Sequence, residues 1–460
     1  MTLLTADITV FNGSAQMVEN IAISLQAGEA VTLIGETGSG KSLFADAILG
    51  TLPQGLHATG AVTIDGTHVD PQLPSSLEAF WGHRISVLPQ EPWRALDPLM
   101  RSRAQVAEVH KLVAKSPTAA QDATQDLEAL DLGDAADRFP FELSGGMAQR
   151  LAIAAARAGG ANIVVADEPT KGLDTGRRDE VARQLNTVTA SGGALLTITH
   201  DLQLAEALGG EILVLRRGRL IERGPAHQVL GSPAHPYTAE LIEAEPRYWP
   251  ARACQTNGTK VLQGKGITVE RGGRALFADL NLDLHAGEVV GLCGPSGVGK
   301  SSLGDTLLGI TKPAKGEVVR GAAATKRFQK LWQDPPAAFA PHITLGRGLK
   351  DLMSLHHLPA EKLPPLLELL RLDPNLLDRK PDAVSGGELQ RLSIVRALLL
   401  DPIFLFADEP TSRLDPLTQR DVMQMLVDLA RKKGIAVLLV SHDQDLIARA
   451  TDRQINLKAA

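Results

Sequence analysis

The sequence contains one pattern twice, and this internal repeat limits the folds that the chain can adopt. Residues 8–42 align without a gap with residues 267–301; the two segments are ITVFNGSAQMVENIAISLQAGEAVTLIGETGSGKS and ITVERGGRALFADLNLDLHAGEVVGLCGPSGVGKS. Farther along, NIVVADEPTKGLD matches IFLFADEPTSRLD, and LLTITHD matches VLLVSHD. Because the matches keep the same order in both halves, the chain is expected to contain two copies of one domain.

The repeat places the domain boundaries near the middle of the chain. We predict a first domain over residues 1–245, a linker over residues 246–259 and a second domain over residues 260–460. The linker sequence, PRYWPARACQTNGT, is polar and irregular. A chain of 460 residues is long enough for two or three domains, and its 44% hydrophobic and 22% charged residues are typical of a soluble globular protein.

Composition excludes several classes of function. The formal net charge of -6 argues against a nucleic-acid surface. Cys254 and Cys293 lie far apart without metal-ligand spacing, so we expect reduced structural thiols and no iron–sulfur centre. The amino-terminal segment lacks the basic lead of a signal peptide, and no apolar run is long enough to cross a bilayer. Any action at a membrane is therefore expected to depend on docking to a membrane-spanning partner.

Short apolar runs alternate with helical segments in each copy. AVTLIG, NIVVAD and ALLTIT have the length and composition of buried strands, whereas KSLFADAILGTL and AQRLAIAAARAG have helical periodicity. This alternation predicts an α/β domain with a largely parallel sheet.

Two glycine-rich loops carry the most specific chemistry in the sequence. GETGSGKS at residues 35–42 and GPSGVGKS at residues 294–301 each follow an apolar strand and open a helix, which is the setting of a phosphate-binding loop. Lys41 and Lys300 would reach the β- and γ-phosphates, and the hydroxyls of Ser42 and Ser301 can bind Mg²⁺. The glycines that shape the loops are Gly35, Gly38, Gly40, Gly294, Gly297 and Gly299. The alternative is a purely structural glycine turn.

An Asp-Glu pair ends a later strand in both copies. Asp167 and Asp408 can hold Mg²⁺, and the adjacent Glu168 and Glu409 are placed to accept a proton from an attacking water. The alternative is that these carboxylates cap the next helix.

Together, the phosphate loops, the segments LSGGMAQR and VSGGELQR, the Asp-Glu pairs and the downstream histidines resemble ATP-binding-cassette (ABC) ATPases over nearly the whole chain. The resemblance implies an α/β fold with two tandem P-loop NTPase domains. Each would have a mainly parallel core sheet, an antiparallel β subdomain and a helical subdomain. Two cassettes of this family pack head to tail, so the signature of one closes on ATP in the other. Ser144, Gly145 and Gly146 would then meet ATP at Lys300, and Ser385, Gly386 and Gly387 would meet ATP at Lys41.

The same resemblance assigns roles to further residues. Gln90 and Gln333 match the glutamine that senses Mg²⁺ and couples the site to a partner. His200 and His442 match the catalytic histidine that grips the γ-phosphate and orients the glutamate. Asp174 and Asp415 match the aspartate of the loop between the two sites, although TKGLD and TSRLD differ from the family's usual Ser-Ala-Leu-Asp.

The two copies differ in two places. Phe11 occupies the position of the aromatic residue that stacks on adenine, whereas the aligned residue of the second copy is Glu270; packing in the core or a loop is the alternative for Phe11. The stretch from phosphate loop to signature is also shorter in the second copy, with Ser144 lying 103 residues after Lys41 and Ser385 lying 85 after Lys300. In the family this stretch contains the helical subdomain that receives a membrane partner.

The segment RRGRLIERGPAHQVLGSPAHPYTAELIEAEP resembles the tail of ATPases that serve oligopeptide, dipeptide and nickel importers. This implies a peripheral protein on the cytoplasmic face of the inner membrane. It would bind ATP and Mg²⁺ and act with two transmembrane permease subunits and, through them, a periplasmic solute-binding protein. Two alternatives stay open: a twin-cassette translation factor acting on the ribosome, and a fused sugar- or vitamin-type importer ATPase. The translation factor predicts a long charged linker, which this chain lacks.

Overall fold

The computed structural model describes residues 1–90, 95–170, 175–251, 258–295, 297–321, 325–412 and 414–459. The chain divides into two compact units, Met1–Ile242 and Glu243–Ala460. Each unit contains its own phosphate loop, sheet and hydrophobic core. None of the helices in the described ranges is long and apolar enough to cross a bilayer.

Ten described strands of the first unit form one mixed sheet. They are β1 (Thr2–Asn12), β2 (Ala15–Gln26), β3 (Ala30–Ile34), β4 (Leu56–Ile64), β5 (Thr67–Val69), β6 (Ile85–Leu88), β7 (Ile163–Asp167), β8 (Ala194–Ile198), β9 (Glu211–Arg216) and β10 (Arg219–Pro225). Their order is β5-β4-β1-β2-β10-β9-β3-β8-β7-β6. Strands β6, β7, β8, β3 and β9 pair in parallel, and β1, β2, β4 and β5 pair in antiparallel fashion. The prediction of a mainly parallel core sheet with an antiparallel subdomain is confirmed.

The helices of the first unit surround this sheet and build a separate helical subdomain. They are α1 (Lys41–Leu49), α2 (Pro74–Glu78), α3 (Ser102–Leu112), α4 (Ala119–Ala129), α5 (Gly145–Arg157), α6 (Thr175–Ala190), α7 (Leu202–Leu208), α8 (Ala226–Gly231) and α9 (Pro236–Glu243). Helices α3, α4 and α5 share a small core that includes Val106, Leu127 and Leu151. Burial of these apolar side chains stabilises the packing of the three helices against one another.

The second unit repeats this plan with fewer strands among its described residues. Its strands are β11 (Lys260–Arg271), β12 (Arg274–His285), β13 (Val289–Cys293), β14 (Lys315–Arg320), β15 (Phe328–Leu331), β16 (Phe404–Asp408), β17 (Ala436–Val440) and β18 (Arg453–Asn456). Its helices are α10 (Lys300–Leu308), α11 (Leu345–Leu355), α12 (Leu363–Leu369), α13 (Gly386–Leu398), α14 (Pro416–Lys433) and α15 (Gln444–Ala450). The antiparallel sheet β12-β11-β14 is separate from the parallel sheet β15-β16-β17-β13-β18.

The first part of the predicted linker is folded. Pro246–Tyr248 form a 3₁₀ turn that packs against α15. The Trp249 indole is only 9% exposed, lies in the core of the second unit and donates a hydrogen bond from Nε1 to the Ala244 carbonyl at 2.8 Å. Burying an indole against apolar neighbours outweighs the chain entropy lost on ordering these residues. These residues therefore belong to the second compact unit, which begins at Glu243, and they do not form a free tether.

Parallel pairing brings the predicted catalytic segments to one edge of each sheet. In the first unit β3, β7 and β8 are neighbours, and nearly all of their residues are buried. Strands that run in parallel end at the same edge, where ligands bind in open α/β sheets. The phosphate loop follows β3, the Asp-Glu pair ends β7 and the histidine follows β8.

Candidate active sites

The glycines of the two phosphate loops have matching backbone conformations. Gly35 has φ of 147° and Gly294 has φ of 146°, a region that side chains rarely enter. A Cβ atom at Gly35 would lie 2.2 Å from the Leu215 carbonyl oxygen, so glycine is required there. At Gly38 and Gly297 an added Cβ would meet no atom within 4 Å, so both face the open side of the loop. This open, amide-lined concavity fits a phosphate group.

The loop lysines are nearly buried and point into their own loops. Lys41 and Lys300 are 6% and 7% exposed. Lys41 Nζ donates to the carbonyls of Gly35 at 2.7 Å and Glu36 at 2.9 Å, and Lys300 Nζ donates to Gly294 at 2.7 Å and Pro295 at 3.1 Å. A buried ammonium at the mouth of the loop favours an anionic ligand.

In the first unit, Asp167 lies beside Ser42. Burial raises the pKa of the Asp167 carboxyl to about 6, the negative charges of Glu168 and Asp46 act in the same direction, and a hydrogen bond from the Ser42 hydroxyl opposes them. Asp167 Oδ1 is buried without a hydrogen-bond partner. A buried carboxylate oxygen that lacks a donor is costly, and a cation at this position would satisfy it.

In the second unit, Asp408 has an additional basic neighbour. Lys330 Nζ lies 2.7 Å from Asp305 Oδ1 and 4.0 Å from Asp408 Oδ2, and its ammonium also lies over the Trp332 and Phe406 rings. Burial raises the pKa of Asp408, while the Ser301 hydroxyl and the Lys330 charge lower it. The position aligned with Lys330 in the first copy is occupied by Val87. The two carboxylate clusters therefore differ in charge.

Each glutamate that the sequence predicts to be catalytic contacts the predicted histidine. His200 Nδ1 lies 2.8 Å from Glu168 Oε1, and His442 Nε2 lies 2.6 Å from Glu409 Oε1. Burial alone would disfavour the charged forms of Glu168 and His200. Their mutual attraction outweighs it, so the pKa of Glu168 is lowered and that of His200 is raised. A glutamate held as a carboxylate can accept a proton from water.

The backbone of both glutamates is held in an unusual conformation. Glu168 and Glu409 have φ of 47° and 46°, in the left-handed region that costs a side-chain-bearing residue about 1–3 kcal/mol. Their amides donate to the carbonyls of Ile198 at 2.8 Å and Val440 at 3.0 Å, which anchors each residue to the neighbouring strand. Such strain is concentrated at functional sites.

The glutamine contacts differ between the units. Gln333 Nε2 donates to Glu409 Oε2 at 2.8 Å, which brings the predicted sensor residue onto the catalytic glutamate. Among the described residues of the first unit, no hydrogen bond joins Gln90 to Glu168. There, Thr199 Oγ1 donates to Glu168 Oε2 at 3.2 Å.

The Ser-Gly-Gly segments begin helices α5 and α13, as predicted. Ser144 caps α5 by accepting from the Met147 amide at 3.3 Å, and Ser385 caps α13 in a reciprocal pair with Glu388. Within the described part of each unit, neither serine hydrogen-bonds to its own phosphate loop. The amino-terminal amides of Gly145, Gly146, Gly386 and Gly387 belong to the first turns of these helices, where an anion is stabilised.

Two of the remaining predicted residues, Asp415 and Phe11, make structural contacts. Asp415 caps α14 by accepting from the Thr418 amide and hydroxyl, both at 3.0 Å. Asp174 and Cys254 lie outside the described residues. The Phe11 ring stacks on His57 across the β1–β4 pair, with ring centroids 5.3 Å apart. The assignment of Phe11 to adenine stays a prediction, as does the signalling role of Asp415.

Sequence reasoning did not identify two contacts at these sites. Lys330 could have been found by comparing the copies, because a lysine occupies the position that aligns with Val87. The Tyr237 hydroxyl accepts a hydrogen bond from the Glu36 amide in the first phosphate loop at 2.9 Å. The sequence analysis identified the segment that carries Tyr237 only by its resemblance to an importer ATPase tail.

A phosphate loop, a buried lysine, an Asp-Glu pair and a histidine, present in each of two α/β units, define a P-loop nucleoside triphosphatase with two nucleotide-binding units. The chain belongs to the ABC transporter ATPase family, because the family described as "ABC transporter" matches residues 18–171 and 277–412. It is therefore an ATP-binding enzyme of the kind that couples ATP hydrolysis to transport.

Curated relatives resemble the chain over most of its length. The peptidoglycan transport ATP-binding protein YejF of Agrobacterium fabrum (strain C58) is 33% identical over 93% of this chain and 84% of the relative. The glutathione import ATP-binding protein GsiA of Salmonella typhi is 29% identical over 95% of this chain and 81% of the relative. Both relatives are named as ATP-binding proteins of a transport process, which concerns peptidoglycan in one case and glutathione in the other.

Solved structures resemble the fold. The "RNase-L Inhibitor" structure matches 97% of this chain and 87% of its own, with a TM-score of 0.65 and 22% identity. A complex containing an archaeal ribosome recycling factor matches 94% of this chain and 83% of its own, with a TM-score of 0.64 and 22% identity. At this identity the likeness concerns the two-cassette fold alone.

Proposed function

We propose that the chain is the energy-coupling subunit of an importer, held on the cytoplasmic face of the inner membrane by two permease subunits. One observation carries the proposal. A chain with an ATPase residue set in each unit is similar, over 93% of its length, to a protein named for transport.

The catalytic chemistry follows from the contacts in each unit. The phosphate loop amides and Lys41 or Lys300 hold the nucleotide phosphates. Glu168 or Glu409 accepts the proton of the attacking water, and the histidine bound to it fixes the carboxylate orientation.

The residues that would hold Mg²⁺ fit the ion. In the first unit these are Ser42 and Asp167, whose unpartnered oxygen is an oxygen ligand of the kind that Mg²⁺ prefers. In the second they are Ser301 and Asp408, and the glutamines Gln90 and Gln333 complete the two sets. When bound, the ion neutralises phosphate charge.

We assign each Ser-Gly-Gly helix to the nucleotide of the other cassette. Two features support this assignment. The helices begin with amides suited to an anion, and the described serines make no hydrogen bond to the phosphate loop of their own unit. A composite arrangement makes hydrolysis depend on closure of the two units, which is the movement that a permease can use.

We propose a small peptide-containing solute as the cargo. The curated relatives are named for peptidoglycan transport and for glutathione import, and both names describe molecules with peptide parts. Nickel chelates, the other solute class that the tail sequence suggested, have no such support among these names. A periplasmic solute-binding protein would deliver the cargo to the permeases.

The helical subdomain of the second unit offers a surface for a permease. An apolar groove there is lined by residues that include Phe339, Ile343, Leu349, Leu352 and Leu355, with Asp351 and Arg396 at its margins. Leu355 is 72% exposed. Exposed apolar grooves of this kind are typical docking sites for an amphipathic helix of a partner.

The docking proposal is tested with Leu355→Arg and the permease pair encoded beside this chain. A charge in the groove should lower recovery of the permeases with the tagged chain by about fivefold or more, because burying an unpaired arginine in an interface is costly. Leu369→Arg is the matched control, since Leu369 is 45% exposed on α12 and lies outside the groove. Equal recovery with both variants would reject this groove, and absence of a neighbouring permease pair would reject the importer.

The ribosome-factor alternative receives no support from a site. Its structural counterparts share only the fold, and the net charge of -6 disfavours an RNA surface. The fused sugar- or vitamin-type importer is also less favoured, because the named relatives import other solutes.

The charge of Lys330 predicts different Mg²⁺ requirements at the two sites. The Lys330 ammonium already neutralises part of the negative charge of Asp305 and Asp408. Binding of Mg²⁺ at the second site therefore gains less electrostatic free energy than at the first. Lys330→Val should lower the Mg²⁺ concentration for half-maximal azido-ATP labelling of the second copy by about threefold to tenfold. The first copy should be unchanged, and Lys326→Val, a change at a nearby exposed lysine, should have no effect. An unchanged Mg²⁺ midpoint in the Lys330 variant would contradict this role.

A further inference from the structure

The tail helix α9 carries Tyr237, whose hydroxyl makes a polar contact in addition to the apolar packing of the helix. Tyr237 is 2% exposed, and its ring lies beneath the Arg216 guanidinium at 4.5 Å. Its hydroxyl accepts a hydrogen bond from the Glu36 amide at 2.9 Å. Glu36 is the second residue of the first phosphate loop, 201 positions earlier in the chain.

This contact acts on the peptide group that also holds the loop lysine. The Glu36 N–H and the Gly35 carbonyl belong to one planar peptide group, in which they point in opposite directions. Lys41 Nζ donates to the Gly35 carbonyl at 2.7 Å, and Tyr237 receives the N–H on the other side. The orientation of this peptide group therefore depends on both side chains.

The turn before α9 is itself fixed to the sheet. The Glu222 carboxylate on β10 accepts from the amides of Ala234 at 2.7 Å and His235 at 3.1 Å. Tyr237 follows directly, and Leu241 and Ile242 of the same helix are buried. The hydroxyl is thus presented from a firmly anchored segment rather than from a free tail.

The second copy provides an internal comparison. Its loop has the same backbone shape, with φ of 146° at Gly294 against 147° at Gly35, and Lys300 makes the same carbonyl contact at 2.7 Å. The residue aligned with Glu36 is Pro295. Proline has no N–H and fixes its own φ, so that loop needs no acceptor at this point.

We propose that Tyr237 is a positioning residue for nucleotide binding at the first site, and that Pro295 replaces this function in the second. The tail helix positions the first phosphate loop through the hydrogen bond from the Glu36 amide to the Tyr237 hydroxyl, whereas the second loop is fixed there by the proline ring. This goes beyond the importer assignment, because it concerns ATP binding whatever the transported solute is.

The test measures labelling of each copy by 8-azido-ATP, assigned by peptide mapping. Tyr237→Phe keeps the buried ring and removes the hydroxyl, leaving a donor without its partner. The azido-ATP concentration for half-maximal labelling of the first copy should rise by about tenfold, with a smaller change in maximal labelling. The second copy, which serves as the internal reference, should be unchanged. Tyr248→Phe changes the other tyrosine of the chain, which is exposed, and should match the wild type.

A second variant separates loop positioning from a general packing defect. Glu36→Pro removes the N–H in the manner of the second copy, so Glu36→Pro with Tyr237→Phe should label the first copy within about threefold of the wild type. Such a rescue supports the proposal, because a packing defect at Tyr237 would persist. Unchanged labelling in Tyr237→Phe, equal weakening of both copies, or losses that simply add in the double variant would each overturn it.

Discussion

Replacing both Glu168 and Glu409 by Gln is expected to lower ATP turnover by about 100-fold or more while nucleotide still binds. Each glutamate is the group that can accept the proton of the attacking water, and each is held by a histidine at 2.8 or 2.6 Å. Glutamine keeps the size and can still hydrogen-bond, but it cannot take the proton. Steady-state phosphate release and equilibrium nucleotide binding, measured on the same preparation, separate the two effects.

Single variants test whether both centres are active. The two glutamates have similar strained backbone conformations, and each contacts the histidine of its own unit. Either single change should therefore remove most coupled turnover. Glu128→Gln and Glu361→Gln, at exposed positions of the two units, should behave like the wild type. Wild-type turnover in Glu168→Gln or in Glu409→Gln would remove that residue from the catalytic role.

Much of each site could be predicted because its residues lie close together in the sequence. The phosphate loop, the lysine and the serine form one eight-residue segment, so their spacing alone defines the chemistry. Alternation of apolar runs with helices likewise predicted the parallel core sheet, since buried strands and their crossover helices have distinct periods. The ordered repeat then extended each prediction to the second copy.

Contacts between distant residues could not be predicted in this way. Gln333 lies 76 positions before Glu409, and the bond between them depends on how β15 and β16 pair. Tyr237 reaches Glu36 only because β10 and α9 return to the phosphate loop. The start of the predicted linker is folded because the Trp249 indole packs into a core formed by side chains from across the second unit. Tertiary packing decides these features, and a single sequence does not display it.

Nucleotide-driven closure is expected to occur within one chain. The sequence-based tether of 14 residues would reach at most about 50 Å. The connection is shorter than this, because Pro246–Tyr248 and Trp249 are folded in the second unit and the two compact units adjoin in sequence at Ile242 and Glu243. Covalent linkage through a short segment still keeps one cassette at an effective concentration near the other of about the millimolar range. At micromolar protein concentration, association of the two cassettes of one chain is therefore expected to be favoured over association between separate chains.

The double variant Glu168→Gln, Glu409→Gln provides the test, since it should retain ATP and hold the closed state. Adding ATP should reduce its radius of gyration in small-angle scattering while mass photometry shows one chain per particle. Lys41→Ala with Lys300→Ala is the control, because loss of both buried ammonium groups should abolish the ATP response. In the proposed composite sites ATP supplies the phosphates that the Ser-Gly-Gly helices bind, so closure should not occur without it. An ATP-dependent doubling of mass would instead show that the composite sites form between chains, and closure within one chain would be rejected.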